Sequence, residues 1–177
     1  EFFFIIDEIN RGNMSKIFGE LLMLIEKDYR GTKATLAYNG LSFSVPKNLY
    51  IIGMMNTADR SLAMIDYALR RRFSFFEVEP GFDSEGFIHY QNGLNNETLN
   101  ELVNKVKDLN REISLDKSLG KGFCIGHSYF CGWDVCTEEW LHSIVDYDIL
   151  PMLSEYWFDD ANKLPRWEKI LQGGVQR

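Results

Sequence analysis

Phe2-Phe3-Phe4-Ile5-Ile6-Asp7-Glu8 is the stretch on which the fold turns. Five consecutive apolar residues, too few for a buried helix, predict a strand covered on both faces, as in a parallel sheet. Two carboxylates close it, at the carboxyl end where open α/β sheets bind their ligands. Leu49–Met55 repeats the pattern, running into Asn56-Thr57-Ala58-Asp59-Arg60-Ser61. Asn56 is therefore expected at the same sheet edge as Asp7 and Glu8.

Helical patterns lie between and beyond these runs. Ser15–Asp28 spaces Ile17, Leu21 and Leu24, and Phe18, Leu22 and Ile25, as a helix would. Lys33–Val45 reads as a hairpin around Asn39-Gly40, the favoured pair for a two-residue turn. Leu62–Arg72 is expected to be helical with Ser61 as N-cap, and Phe73–Val78 to be a third strand. Strand–helix–strand–helix–strand is the order of a parallel α/β sheet. Glu79-Pro80-Gly81-Phe82-Asp83 reads as a turn and subdomain boundary, dividing the chain into 1–80 and 81–177.

The second part is predicted mainly helical. Glu97–Ile113 puts Leu99, Leu102, Val103, Val106, Leu109 and Ile113 on one face. A further helix runs from Thr137 or Glu138 to about Tyr147 and continues past Pro151 towards Phe158. A last one contains Trp167, Ile170 and Leu171, and Gly120–Phe130 is a glycine-interrupted connection.

Composition narrows the function classes. The 177 residues are 45% hydrophobic and 25% charged, enough apolar material for a packed core. Residues 1–80 balance ten basic against ten acidic side chains, so the whole net charge of −7 lies in 81–177. No one-sign basic surface is available for autonomous DNA binding. No apolar run approaches the roughly 20 residues of a membrane span, and no basic segment precedes the apolar start as in a signal peptide. Three cysteines cannot all pair, so a cytoplasmic chain is expected.

Asp7 suits magnesium held through water, and Glu8 suits polarising an attacking water; a solvated strand end is the plain alternative. Asn56 can orient water or contact a terminal phosphate. Asn56-Thr57-Ala58-Asp59 has the spacing of the guanine-reading Asn-Lys-x-Asp element but lacks its lysine. Cys124, His127, Cys131 and Cys136 fall within thirteen residues, but the paired two-ligand knuckles of zinc sites are absent, and buried free cysteines are common. His89 and His142 have no constellation around them.

Residues 5–26 (IIDEINRGNMSKIFGELLMLIE), 54–73 (MMNTADRSLAMIDYALRRRF), 120–130 (GKGFCIGHSYF) and 155–160 (EYWFDD) together resemble the McrB-type GTPase subunits of modified-cytosine restriction systems, within the AAA+ class. The resemblance runs through nearly the whole chain. It implies a partial AAA+ P-loop NTPase core, a parallel sheet without its Walker A portion, followed by a helical lid. It makes Asp7-Glu8 the Walker B carboxylates and Asn56 the sensor-1 residue. Asp59 falls in the motif associated with GTP use. Arg71 and Arg72 would reach the neighbouring subunit's nucleotide, with Arg70 as a structural cation complementing the helix dipole. His127, in the lid motif, would approach nucleotide, although no arginine stands in that motif as an ordinary sensor 2. Mg²⁺ and GTP (alternatively ATP), a hexameric ring, an McrC-like endonuclease partner and indirect contact with DNA are implied with it.

No G-x-x-x-x-G-K-[ST] phosphate loop occurs in the chain, which starts almost inside Walker B, as a piece of a longer protein would. The family's strand order places the phosphate-loop strand between those ending near Met55 and Val78. Other readings are an ATP-dependent AAA+ remodelling protein and a catalytically inactive assembly module.

Overall fold

β1 (Phe2–Ile6) lies parallel to the later strand Leu49–Gly53, with Phe2 opposite Leu49 and Ile6 opposite Gly53. Parallel pairing of two strands so far apart needs a long crossover, and residues 7–48 supply it. The computed structural model describes residues 1–58, 67–132, 134–160 and 162–173. They form two units, Glu1–Glu77 and Val78–Arg177.

The crossover departs from the expected single helix. Asn13 caps α1 (Met14–Phe18) by accepting from the Lys16 amide at 2.9 Å. Gly19 then leaves helical space, at φ 50° and ψ −126°. The chain tightens into 3₁₀ turns at Gly19–Ile25 and Lys27–Tyr29, on either side of an extended Glu26. The tighter repeat shifts the apolar face: Leu22, Leu24 and Ile25 are buried, whereas Ile17 is exposed.

The hairpin forms between β2 (Ala34–Thr35) and β3 (Ser42–Phe43), antiparallel. Its connection is longer than the two-residue turn expected. The Leu36 amide still bonds the Leu41 carbonyl at 2.8 Å, so residues 37–40 make the turn, with Gly40 at φ 71°.

β4 (Leu49–Gly53) and β1 are not covered on both faces. Phe2, Phe3, Phe4 and Ile5 are 50–66% exposed, and the stacked Phe3 and Tyr50 rings, 5.4 Å apart, are cross-strand neighbours rather than a core. Among the described residues, this two-stranded ribbon has neither a second flanking strand nor a covering layer for these side chains. Phe73–Val78 is not a strand. A ladder needs a partner, no described residue offers one, and Phe76 and Val78 lie open. The core of the first unit instead gathers Ile9, Met14, Leu22, Ile25 and Leu69. Leu69 belongs to α2 (Tyr67–Arg70), the described part of the helix expected over 62–72. Residues 62–66 and the Ser61 cap lie outside the described residues, and Arg71-Arg72 form a turn.

The second unit follows its sequence closely. α3 (Glu85–Leu94), capped by Ser84, was not anticipated. α4 (Glu97–Leu115) carries Asn96 as its cap and buries all six residues of the expected face. α5 (Glu138–Ser143), capped by Thr137, passes through a π-helical turn at Ile144–Ile149 into α6 (Leu150–Tyr156). Pro151 explains that wide turn. Its ring crowds the carbonyl four residues earlier and it has no amide to donate, so a local i→i+5 repeat relieves both problems. α7 (Lys163–Gln172) buries Trp167 and Leu171. No described helix is long and apolar enough to cross a membrane.

Asp116 closes α4 with only 8% of its side chain exposed. Its Oδ2 accepts from Lys163 Nζ at 2.6 Å and Trp157 Nε1 at 3.2 Å, and its Oδ1 from the Ser118 amide and hydroxyl. The Lys163 ammonium, then Ser118, hold this carboxyl below the usual carboxylate range. A depressed folded pKa stabilises above the unfolded value of about 4 and loses that contribution as pH falls through the folded one. Asp116→Asn is expected to cost about 1.5–3 kcal/mol at neutral pH and to remove this part of the acid dependence. Thermal unfolding of both chains from pH 7 down to about pH 2 checks it.

Candidate functional site

The β1–β4 register brings three sequence-predicted residues to one sheet edge. Ile6 is opposite Gly53, so Asp7-Glu8 and Met54-Met55-Asn56 leave the two strands on the same side. The pairing continues past the strand ends. The Met54 amide donates to the Ile6 carbonyl at 2.8 Å, and the Ile9 amide to the Met54 carbonyl at 2.9 Å. Gly53 permits this closeness, since a Cβ there would come 2.7 Å from Ile9 Cδ1.

Asp7 is exposed, and its Oδ1 accepts the Glu8 amide at 2.9 Å. Glu8 takes φ 50°, a conformation that costs free energy for a residue with a side chain and clusters at functional sites. The Arg11 amide closes the turn onto the Glu8 carbonyl at 2.8 Å. Arg11 Nε also stands 3.3 Å from Glu8 Oε2. Asn56 is exposed, and its Oδ1 accepts the Ala58 amide at 3.0 Å. The edge thus offers a carboxylate in a strained turn, an exposed hard-oxygen donor and a side-chain amide. Among the described residues at this edge, Asp7 is the exposed carboxylate that could serve a magnesium ion held largely by water.

The arginine triplet is divided. Arg70 and Arg71 are exposed. The Arg72 side chain is 8% exposed, with Nε 2.8 Å from Glu26 Oε1 and Nη1 donating to the Ala68 carbonyl at 2.6 Å. Asp59 lies outside the described residues.

His127 belongs to the second unit. Its Nδ1 accepts the Gly81 amide at 3.0 Å, which puts the proton of the neutral ring on Nε2. The ring meets Phe82 and Phe87 edge-on. Asn110, which no sequence pattern had singled out, fixes the same connection to α4. Its side chain accepts the Ile125 amide at 2.7 Å and donates to the Ile125 carbonyl at 2.8 Å. Cys124, Cys131 and Cys136 are free thiols, and burial raises the pKa of the last two. No three His, Cys, Asp or Glu side chains among the described residues are grouped to hold a metal ion.

Comparison with known proteins defines the class. The AAA domain family, dynein-related subfamily, matches residues 2–73, and the alpha-helical lid domain of McrB matches residues 101–165. The chain is therefore a partial AAA-type core followed by a McrB-type helical lid. It is McrB-like along almost its whole length. It is 51% identical over 185 aligned positions to the type IV methyl-directed restriction enzyme EcoKMcrB subunit of Escherichia coli K12, covering 98% of this chain and 40% of that protein. It is 33% identical over 92 positions to the type II restriction enzyme BsuMI component YdiS of Bacillus subtilis 168, covering 44% of this chain and 27% of that one. The chain spans less than half the length of either relative.

Proposed function

We propose that this chain is the Walker B-to-lid part of a GTP-hydrolysing, ring-forming AAA+ motor that drives a restriction nuclease in the cytoplasm. What carries the reading is the shared edge of Asp7, Glu8 and Asn56 on a parallel strand pair in a McrB-like chain. In hydrolysis, the oxygen of water bonds the terminal phosphorus while the bond to the bridging oxygen breaks, releasing GDP and phosphate. Glu8 orients that water and draws on its proton, which leaves with the phosphate. Asn56 contacts the terminal phosphate, and Asp59 contributes to holding the nucleotide, while the same role for His127 rests on the lid motif alone. Asp7 would hold magnesium through water, and the bound ion neutralises phosphate charge. The Arg71-Arg72 segment acts on the nucleotide of the adjacent subunit in a ring, taken to be hexameric. An McrC-like endonuclease subunit completes the system, and DNA is engaged through it and through regions outside this chain.

The test is turnover of GTP and ATP by the full-length protein. Glu8→Gln is expected to lower GTP turnover by about 10²–10⁴-fold with nucleotide binding retained. Turnover of ATP alone would favour the remodelling reading, and turnover of neither would favour an inactive assembly module. The 177-residue chain carries no phosphate-loop motif and is expected to hydrolyse neither nucleotide by itself.

A further inference from the structure

Two arginines converge on one corner of the first unit. Arg30 Nε donates to the Ile25 carbonyl at 2.9 Å, and its Nη1 to the Leu49 carbonyl at 2.6 Å. Arg72 pairs with the very next side chain, Glu26. A continuous path of polar contacts therefore runs from the first residue of β4, through Arg30 and the Ile25-Glu26 corner, to the turn after α2. Apolar packing follows the same route. Leu69 of α2 packs in one cluster with Ile25 and with Ile9, the residue after Glu8.

Within this frame Arg71 and Arg72 have different freedom. The Arg72 side chain is almost wholly covered, and its guanidinium is ion-paired with a carboxylate and donates to a backbone carbonyl. To reach a neighbouring subunit it would have to abandon both, leaving Glu26 without this partner. Arg71 is exposed and adjoins the fixed point. A guanidinium acting on a phosphoryl group gains most when its backbone is held still, because a misplacement of about 1 Å can cost ~10²-fold in rate.

We propose that Arg72 and Glu26 form a positioning pair that fixes the end of α2, so that Arg71 alone is presented to the adjacent subunit. This rests on the reading that the Arg71-Arg72 segment acts across a ring. Arg72 is then a positioning residue, and Glu26, far from Asp7 and Glu8 in sequence, affects turnover through it.

The experiment uses the full-length protein, with ring formation and nucleotide binding checked for each variant. Glu26→Gln is expected to lower kcat for GTP about tenfold or more with little change in KM, and Arg72→Ala by a similar factor. The double variant should fall no further than Arg72→Ala, because both changes break one pair. Arg72→Lys should retain most of the turnover, since an ammonium still pairs with Glu26, whereas it would not reproduce the planar fork of a guanidinium acting on phosphate. A kcat for Glu26→Gln within twofold of wild type overturns the proposal, as does loss in Arg72→Lys equal to that in Arg72→Ala. If Arg72→Ala does not assemble, Glu26→Gln and Arg72→Lys carry the decision. Failure of the underlying reading looks different: Arg71→Ala would then turn over GTP normally in intact rings.

Discussion

Rings of the full-length protein that mix Glu8→Gln subunits with Arg71→Ala subunits will recover GTP turnover that neither variant has alone. The reason is geometric. Glu8 stands in the turn after β1, at the edge proposed to hold the nucleotide of its own subunit, while Arg71 stands exposed after α2 and is proposed to serve the neighbour. At one kind of mixed interface, an intact Glu8 meets an intact Arg71, and there the full catalytic set is restored. A guanidinium supplied across an interface can be worth ~10³–10⁵ in rate, so each pure variant should be almost silent and the recovery easy to read. Turnover is followed across mixing ratios after confirming that both variants bind nucleotide and enter common rings. Verified mixed rings that stay silent at every ratio would remove Arg71 from catalysis across the interface.

The second large effect is expected in amide hydrogen exchange of the 177-residue chain. Opening free energies range from near zero in poorly packed segments to the global value in a core. α4 buries six apolar side chains, while β1 leaves four consecutive apolar residues half or more exposed and, among the described residues, pairs only with β4. Amides of residues 102–113 should therefore exchange about 10²-fold or more slowly than those of β1 and β4. Phe73–Val78, which has no ladder, should exchange fastest of the three segments expected as strands. The exposed apolar ribbon should also drive association at high concentration. A monomer in which β1, β4 and Phe73–Val78 are as protected as α4 would refute this.

Where local chemistry determines the outcome, the sequence was legible. α4 has an Asn96 cap, a 3.6-residue apolar period and no interruption, and its buried face is the expected one. The parallel pairing of β1 and β4 was also readable, because two short apolar runs ending in polar residues leave few alternatives. Burial of those runs was not, since it depends on what packs over both faces, and among the described residues Phe2–Ile5 stay half or more exposed. Gly19 outweighed the helical spacing of Ser15–Asp28 because one residue in a non-helical conformation resets the period. At the site, Asp7, Glu8 and Asn56 were legible as strand ends. Glu26 was not, because a carboxylate paired with an arginine 46 residues away looks, in sequence, like any solvated charge.

The two hydrogen bonds between the Asn110 side chain and the Ile125 backbone make a side chain stand in for a neighbouring strand. The 124–130 segment is thereby tethered at Ile125 to the C-terminal half of α4 rather than left as a free loop. Any reorientation of that helix during a nucleotide cycle would carry Ile125–Phe130 with it, as a pointer moves with its shaft. A spectroscopic label on Ser128, which is exposed, would consequently track the whole helix rather than the wandering of a surface loop.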